Sequence, residues 1–393
     1  MSDMVALPTP PVGTRRLAYA VAGAGAAGLV GLSTMGAVVA GLNALVQVRP
    51  RGVVPDATVT AIGPSRIPGC EMAVTLQGHD ASEPGVVGLS MGRGRLLAGP
   101  PTRVDDGWLR HASALPGLAA PMLNVGQGVN ISCDPWEQCD DPFALGAVTA
   151  EVATEVGPLK VTSISPASGT RRAIVYLHGR GGRRHTGWWL APTALDAGWR
   201  AVMPDYRNDE GGPLTGRYLL GGEWIDLVYV LDWLAADGVE EVVLVGWSMG
   251  GNIAASYLRQ RHRSPERFAH HPTPVGLVLD AAALDWGKVL RHVARARRLP
   301  GGFVPAVMTY GQLATRINWR DLNHLDEPAH LDLPLLAYHG VEDDIVPDET
   351  SVTLARNLGH VQLERFEGAG HCRSVNHDPA RYLTTLRRFL DRI

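Results

Sequence analysis

The sequence predicts an α/β protein. A mostly parallel sheet with helices on both faces is expected over residues 151–393, preceded by an N-terminal transmembrane helix and a short strand-rich segment. Three observations predict it. Beyond residue 151, apolar runs of strand length alternate with amphipathic stretches of helical spacing, as in a parallel sheet covered on both faces. Between Arg16 and Arg49 lie 32 residues without a charge, rich in Ala, Gly, Leu and Val, more than the roughly 20 that cross a bilayer core. Residues 49–150 are Gly- and Pro-rich, with short apolar runs between turn signals.

In chain order, residues 1–16 read as a tail and residues 17–48 as the membrane helix or signal anchor. Within the latter, "GAGAAG" (Gly23–Gly28) fits the G-x-G-x-x-G fingerprint of dinucleotide domains. That fingerprint needs an acidic residue about 20 positions on to hold a ribose, yet no Asp or Glu occurs between Asp3 and Asp56. The glycines therefore read as small residues of a membrane helix, and no cofactor is implied. The alternative is a signal peptide cleaved after Ala40 or Ala44, with a secreted product, although the apolar region is about twice the usual 7 to 15 residues. Arg15 and Arg16 on one flank balance Arg49 and Arg51 on the other, so basic residues do not orient the segment.

In residues 49–150 the runs "MAVTLQG" and "PGVVGLS" read as strands of an accessory β-rich segment, to which no site chemistry is assigned. The spacing of Cys133 and Cys139 suits a short disulfide loop better than zinc. Such a loop needs an oxidising compartment and would put the C-terminal domain on the outer side of the membrane. A formal net charge of −3 without a basic stripe argues against a nucleic-acid partner, and none is expected.

From residue 151, "RRAIVYLHG", "GWRAVMPDYR", "EEVVLVGWS", "PVGLVLDAA", "LPLLAYHG" and "HVQLERFEG" each supply a buried strand. "EWIDLVYVLDWLAADG" is a packing helix, with Gly238 as its stop. The strand "EVVLV" runs directly into "GWSMGG" and then the helical "NIAASYLRQ". That strand-turn-helix context turns G-x-S-x-G into a nucleophile elbow with Ser248 at its tip. A serine hydroxyl needs a base, and His371 follows the last strand in "FEGAGH". Between them, "YHGVEDDIVPDE" offers Glu342, Asp343, Asp344 and Asp348 as the carboxylate that orients the imidazole.

On "HGRGG", "PDYRNDEG", "VGWSMGG", "HGVEDDIVP" and "GAGH", residues 151–393 resemble the α/β-hydrolase superfamily, and within it bacterial hydrolases related to serine aminopeptidases and esterases. The resemblance implies an α/β-hydrolase fold with catalytic Ser248, Asp343 and His371. Asp343 is favoured by the D-x-x-V-P pattern of the family, with Asp344 as runner-up. It further implies an oxyanion hole made by the backbone N–H groups of Arg180 and Met249, and a lid at about residues 285–330, where "KVLRHVARARRL" gives a basic amphipathic helix. Arg180, Arg183 and Arg184 read as a solvated basic loop, with contact to an anionic group of the substrate as the alternative, and Cys372 as a small core residue turned away from the site. The function expected is a membrane-anchored serine hydrolase acting on a small-molecule or lipid-like acyl ester. A peptidase or amidase on the same triad, and a catalytically silent binding protein on the same scaffold, are the alternatives.

Overall fold

The computed structural model describes residues 36, 39–43, 45–47, 55–92, 94–115, 119–137, 139–209 and 212–393. Gly23–Gly28 and most of the expected membrane segment lie outside them. Among the described residues, no helix is long and apolar enough to cross a membrane.

The strand-rich segment forms a closed unit. Its strands are β1 (Ala57–Pro64), β2 (Met72–Gly78), β3 (Val87–Met91), β4 (Gly94–Ala98), β5 (Thr102–Val104), β6 (Gly107–Ala114) and β7 (Gly128–Ser132). They pair in the order β2-β1-β7-β3-β4-β6, and β6 returns to β2, so six antiparallel strands close a barrel with β5 attached to β6. Closure removes the exposed edges that so short a sheet would otherwise present. Alternate residues point inward, so Val59, Val74, Leu76, Leu89, Leu96 and Val129 fill the interior. One interior position is polar: Arg110 on β6 is fully buried and donates to the carbonyls of Ala81, Glu83, Gly85 and Gly99. The first three acceptors tie the loop between β2 and β3 to the barrel, and all four compensate for desolvating the guanidinium, whose pKa burial pushes down to about 10.

The second sheet has eight strands: β8 (Val148–Val152), β9 (Leu159–Ile164), β10 (Arg172–Leu177), β11 (Arg200–Pro204), β12 (Glu241–Trp247), β13 (Thr273–Asp280), β14 (Leu335–Gly340) and β15 (Gln362–Phe366). Its order is β8-β9-β11-β10-β12-β13-β14-β15, with β9 alone running opposite to the other seven strands. The six strands read from the sequence are β10 to β15. Strands β8 and β9 were not singled out, and β8 starts the large sheet slightly before the expected boundary at residue 151.

Helices cover both faces: α1 (Ala191–Asp196), α2 (Trp224–Ala236), α3 (Met249–Arg263), α4 (Trp286–Ala296), α5 (Phe303–Thr315), α6 (Glu349–Leu358), α7 (Ser374–His377) and α8 (Pro379–Leu390). One core, with Leu227, Leu231, Ile253 and Leu354, lies under α2, α3 and α6, and the other, with Trp188, Trp199, Leu386 and Phe389, lies under α1 and α8.

Two expectations change. Leu42 and Val46, inside the predicted membrane segment, are buried in the first core. Tyr218 N donates to Val46 O at 2.8 Å, and a Cβ added to Gly41 would stand 2.7 Å from the ring of Phe303 on α5. The end of the uncharged run is thus apolar because it packs on protein. No disulfide joins Cys133 and Cys139. Their turn is pinned instead by indoles, Trp189 Nε1 donating to Cys133 O at 2.9 Å and Trp188 Nε1 to Cys139 O at 3.0 Å. Without that bridge the argument for an oxidising compartment falls away.

Candidate active site

Ligands of open α/β sheets collect at the carboxyl ends of the strands, and four such ends meet here. Ser248 follows β12 and precedes α3, with φ 51° and ψ −114°, a conformation rare outside glycine. Three hydrogen bonds hold it: Ser248 N donates to Asp280 O at 2.9 Å, while Ser248 O accepts from Gly251 N at 3.1 Å and Ala283 N at 3.0 Å. The flanking glycines are required by contact. A Cβ on Gly250 would stand 1.9 Å from Leu177 O, and one on Gly251 would stand 2.5 Å from the Cβ of Ala282. The turn is therefore wedged against β10 on one side and the loop after β13 on the other.

His371, in the loop after β15, brings Nε2 to 2.9 Å from Ser248 Oγ and Nδ1 to 2.7 Å from Asp343 Oδ2. Asp343 follows β14 and is buried. Its Oδ1 accepts from Ile345 N at 2.9 Å and Val346 N at 2.8 Å, while His339 Nε2 lies 3.4 Å from Oδ2. Burial by itself would raise this carboxyl, but the hydrogen bonds from His339 and His371 outweigh it and hold the group well below the ordinary carboxylate range. The rival acids are placed elsewhere. Glu342 accepts from Gly368 N, Asp348 pairs with Arg365, and Asp344 is exposed at the rim of the cleft.

The loop after β10 carries Gly179 and Arg180 against the serine, a Cβ on Gly179 lying 3.3 Å from Ser248 Cβ. Met249 is buried as the first residue of α3. His178 fixes the loop from below: Nδ1 lies 2.9 Å from Gly179 O and Nε2 2.9 Å from Asp209 Oδ2. Both partners are acceptors, which favours the doubly protonated imidazole. Burial opposes the charge, yet Asp209 raises the pKa above the ordinary histidine value.

The cleft over Ser248, of about 920 Å³, lies between the large sheet and the barrel. Ser90, Arg95, Asn130 and Glu137 come from the N-terminal segment, whereas nothing from residues 285–330 lines it. The expected lid helices do form, but α4 and α5 pack on each other and on the first core, and the barrel takes the position over the serine. Asn376 on α7 docks it, Nδ2 donating to Val86 O at 2.7 Å and Cys133 O at 2.9 Å.

Two local expectations are corrected as well. Arg183 pairs with Glu137 at 2.9 Å and Arg184 with Asp205 at 2.7 Å, so these two are ion-paired rather than solvated while Arg180 is exposed, and Arg183 ties the loop to the barrel side. Cys372 packs against the second core as expected, but at φ 54° its Sγ lies 3.6 Å from His371 Nε2, at the cleft rather than away from it. Alternation of side chains assumes extended backbone, and a left-handed residue breaks it.

The family model described as alpha/beta hydrolase fold matches residues 172–299, the span from β10 through the elbow to the end of α4. The chain belongs to the α/β-hydrolase superfamily. A 2-hydroxymuconate semialdehyde hydrolase of Pseudomonas sp. (strain CF600) is 28% identical over 284 residues, covering 61% of this chain and 94% of the relative. A pimeloyl acyl-carrier-protein methyl ester esterase of Neisseria meningitidis serogroup B is 24% identical over 239 residues, 53% of this chain and 89% of that one. An esterase of Pyrococcus furiosus superposes with a TM-score of 0.50 at 19% identity, over 70% of this α/β-hydrolase and 98% of that structure, which shows a shared fold.

Proposed function

We propose that this α/β-hydrolase cleaves carboxylic esters through an acyl-enzyme on Ser248. The observation that carries the reading is the hydrogen-bond chain from Ser248 Oγ through His371 to Asp343, with links of 2.9 and 2.7 Å. His371 takes the hydroxyl proton as Oγ attacks the ester carbonyl, and Asp343 stabilises the imidazolium so formed. The N–H groups of Arg180 and Met249 receive the developing oxyanion. His371 returns the proton to the leaving alkoxide, and a water then hydrolyses the acyl-enzyme by the same steps in reverse order.

Esters are preferred to aminoacyl amides for two reasons. The relatives include a methyl ester esterase. An aminopeptidase also wants an acid to receive the substrate ammonium, and of the acids lining the cleft Glu83 pairs with Arg373 at 3.6 Å and Glu137 with Arg183 at 2.9 Å, which leaves that role to Asp344 at the exposed rim. Nitrophenyl esters of short to medium acyl chains should be cleaved far faster than aminoacyl nitroanilides. The check is kcat/KM on both series at equal enzyme, and faster turnover of the anilides would replace the ester reading with a peptidase on the same residues.

Membrane anchoring is the second part of the proposal. Because Leu42 and Val46 pack on protein, the anchor is confined to the uncharged stretch 17–38, still close to the length a bilayer core requires. Full-length protein should pellet with membranes and be released by detergent, whereas a chain lacking residues 1–35 should be soluble. Recovery of the intact chain, Met1 included, in the soluble fraction without detergent would refute the anchor.

A further inference from the structure

On the face of the large domain away from the cleft, three side chains from two elements bring metal-ligating atoms to one point. Asp232 projects from α2, and His270 and His271 stand in the turn that leads into β13. The Nε2 atoms of both imidazoles lie 2.8 Å from the same oxygen, Asp232 Oδ1, and all three atoms lie within 4.8 Å of one another. The rings approach edge to face at 4.5 Å between centroids. Two imidazoles and a carboxylate supply the nitrogen and oxygen donors that zinc, nickel and copper prefer.

The surroundings provide one fixed ligand and two adjustable ones. The side chain of His271 is fully buried, whereas those of His270 and Asp232 are 62% and 44% exposed. His271 is stacked beside Tyr257, and its Nδ1 lies 2.9 Å from the Tyr257 hydroxyl. A hydroxyl can donate to Nδ1 or accept from it. It therefore holds the ring in one plane under either tautomer and allows Nε2 to present a lone pair, the outer-shell arrangement usual for a metal-bound histidine. A tetrahedral ion about 2.1 Å from each atom asks for separations of about 3.4 Å between ligands, so each Nε2···Oδ1 distance of 2.8 Å has to open by about half an ångström, which the exposed His270 and Asp232 allow. A fourth position faces solvent.

We propose that Asp232, His270 and His271 form a binding site for a divalent cation of the zinc group, which staples α2 to the entrance of β13. It is separate from the chemistry proposed at Ser248. The test uses the full-length protein in detergent, purified without a polyhistidine tag and stripped with a chelator, titrated calorimetrically with zinc chloride.

One zinc per chain is expected, bound at least about tenfold more weakly by His270→Ala and by Asp232→Asn. Tyr257→Phe, which keeps the ring stacking but removes the outer-shell oxygen, should weaken binding by about 10- to 100-fold. Zinc should also raise the melting temperature of the native chain, and that rise should vanish in His270→Ala. The melting temperature of this surface variant in chelator should match that of the native chain, which separates loss of the site from loss of the fold. No saturable binding by the native chain, or the same affinity in both ligand variants, would overturn the site.

Discussion

Replacing Ser248 with alanine should lower kcat on a nitrophenyl ester by about 10⁴ to 10⁶ and abolish labelling by a fluorophosphonate probe. The range follows from what the substitution removes and what it leaves. Without Oγ there is no acyl-enzyme, and His371 loses the proton it would accept. The oxyanion donors and the cleft remain, so a residue of catalysis over water persists. The substitution is otherwise mild. Alanine meets the same backbone penalty as serine at φ 51°, and the three hydrogen bonds that impose this conformation all use main-chain atoms of residue 248. The melting temperature should therefore stay close to that of the native chain, so that loss of activity cannot be ascribed to unfolding. Probe adducts in the native protein should map to Ser248. Undiminished hydrolysis by purified, folded Ser248→Ala would sink the mechanism, and an adduct on another residue would move the nucleophile.

Much of this arrangement was legible in the sequence because its signals are local. A strand buried on both faces needs a continuous apolar run, so "EVVLVGW" reads as β12 whatever its neighbours do, and the glycines after it can be predicted from the crowding of a strand-turn-helix junction. Gly250, whose added Cβ would stand 1.9 Å from Leu177 O, shows how strict that crowding is. Chain order carried the histidine and narrowed the acid to a few residues of one loop.

What was not legible depends on contacts distant in sequence. Closure of the barrel rests on β2 meeting β6, with Val74 opposite Arg110. Nothing in either strand announces that partner, and the buried Arg110 has no apolar periodicity to betray it. The docking of the barrel over Ser248 depends on Asn376, some 290 residues from the Val86 carbonyl it binds. The segment 39–47 illustrates the same ambiguity in another form, since an apolar helix reads alike whether its neighbours are lipid or the side chains of α5.

Asp343→Asn should lower kcat by about 10⁴, while Asp344→Asn should leave it near the native value. The loop dictates the outcome. Oδ1 of Asp343 accepts from two main-chain amides, Ile345 N at 2.9 Å and Val346 N at 2.8 Å, and only an oxygen can fill that place. An asparagine must therefore keep its carbonyl on the amides and turn its NH₂ toward His371 Nδ1. Now facing a donor, Nδ1 has to accept, the ring proton moves to Nε2, and Nε2–H points at Ser248 Oγ. The imidazole is then in the tautomer that cannot take the serine proton. Asp344, by contrast, is exposed and carries no hydrogen bond to another described residue. A second readout comes from pH. The Asp343 carboxyl is held well below its ordinary range in the folded chain. Its charge therefore favours folding above the unfolded value of about 3.9, and that contribution is lost as the pH falls below it. Acid unfolding followed by circular dichroism should accordingly be less steep in Asp343→Asn than in the native protein below about pH 4. If Asp344→Asn instead proved the slower enzyme, the orienting carboxylate would be Asp344, and the cleft-side loop would have to rearrange on substrate binding to bring it to His371.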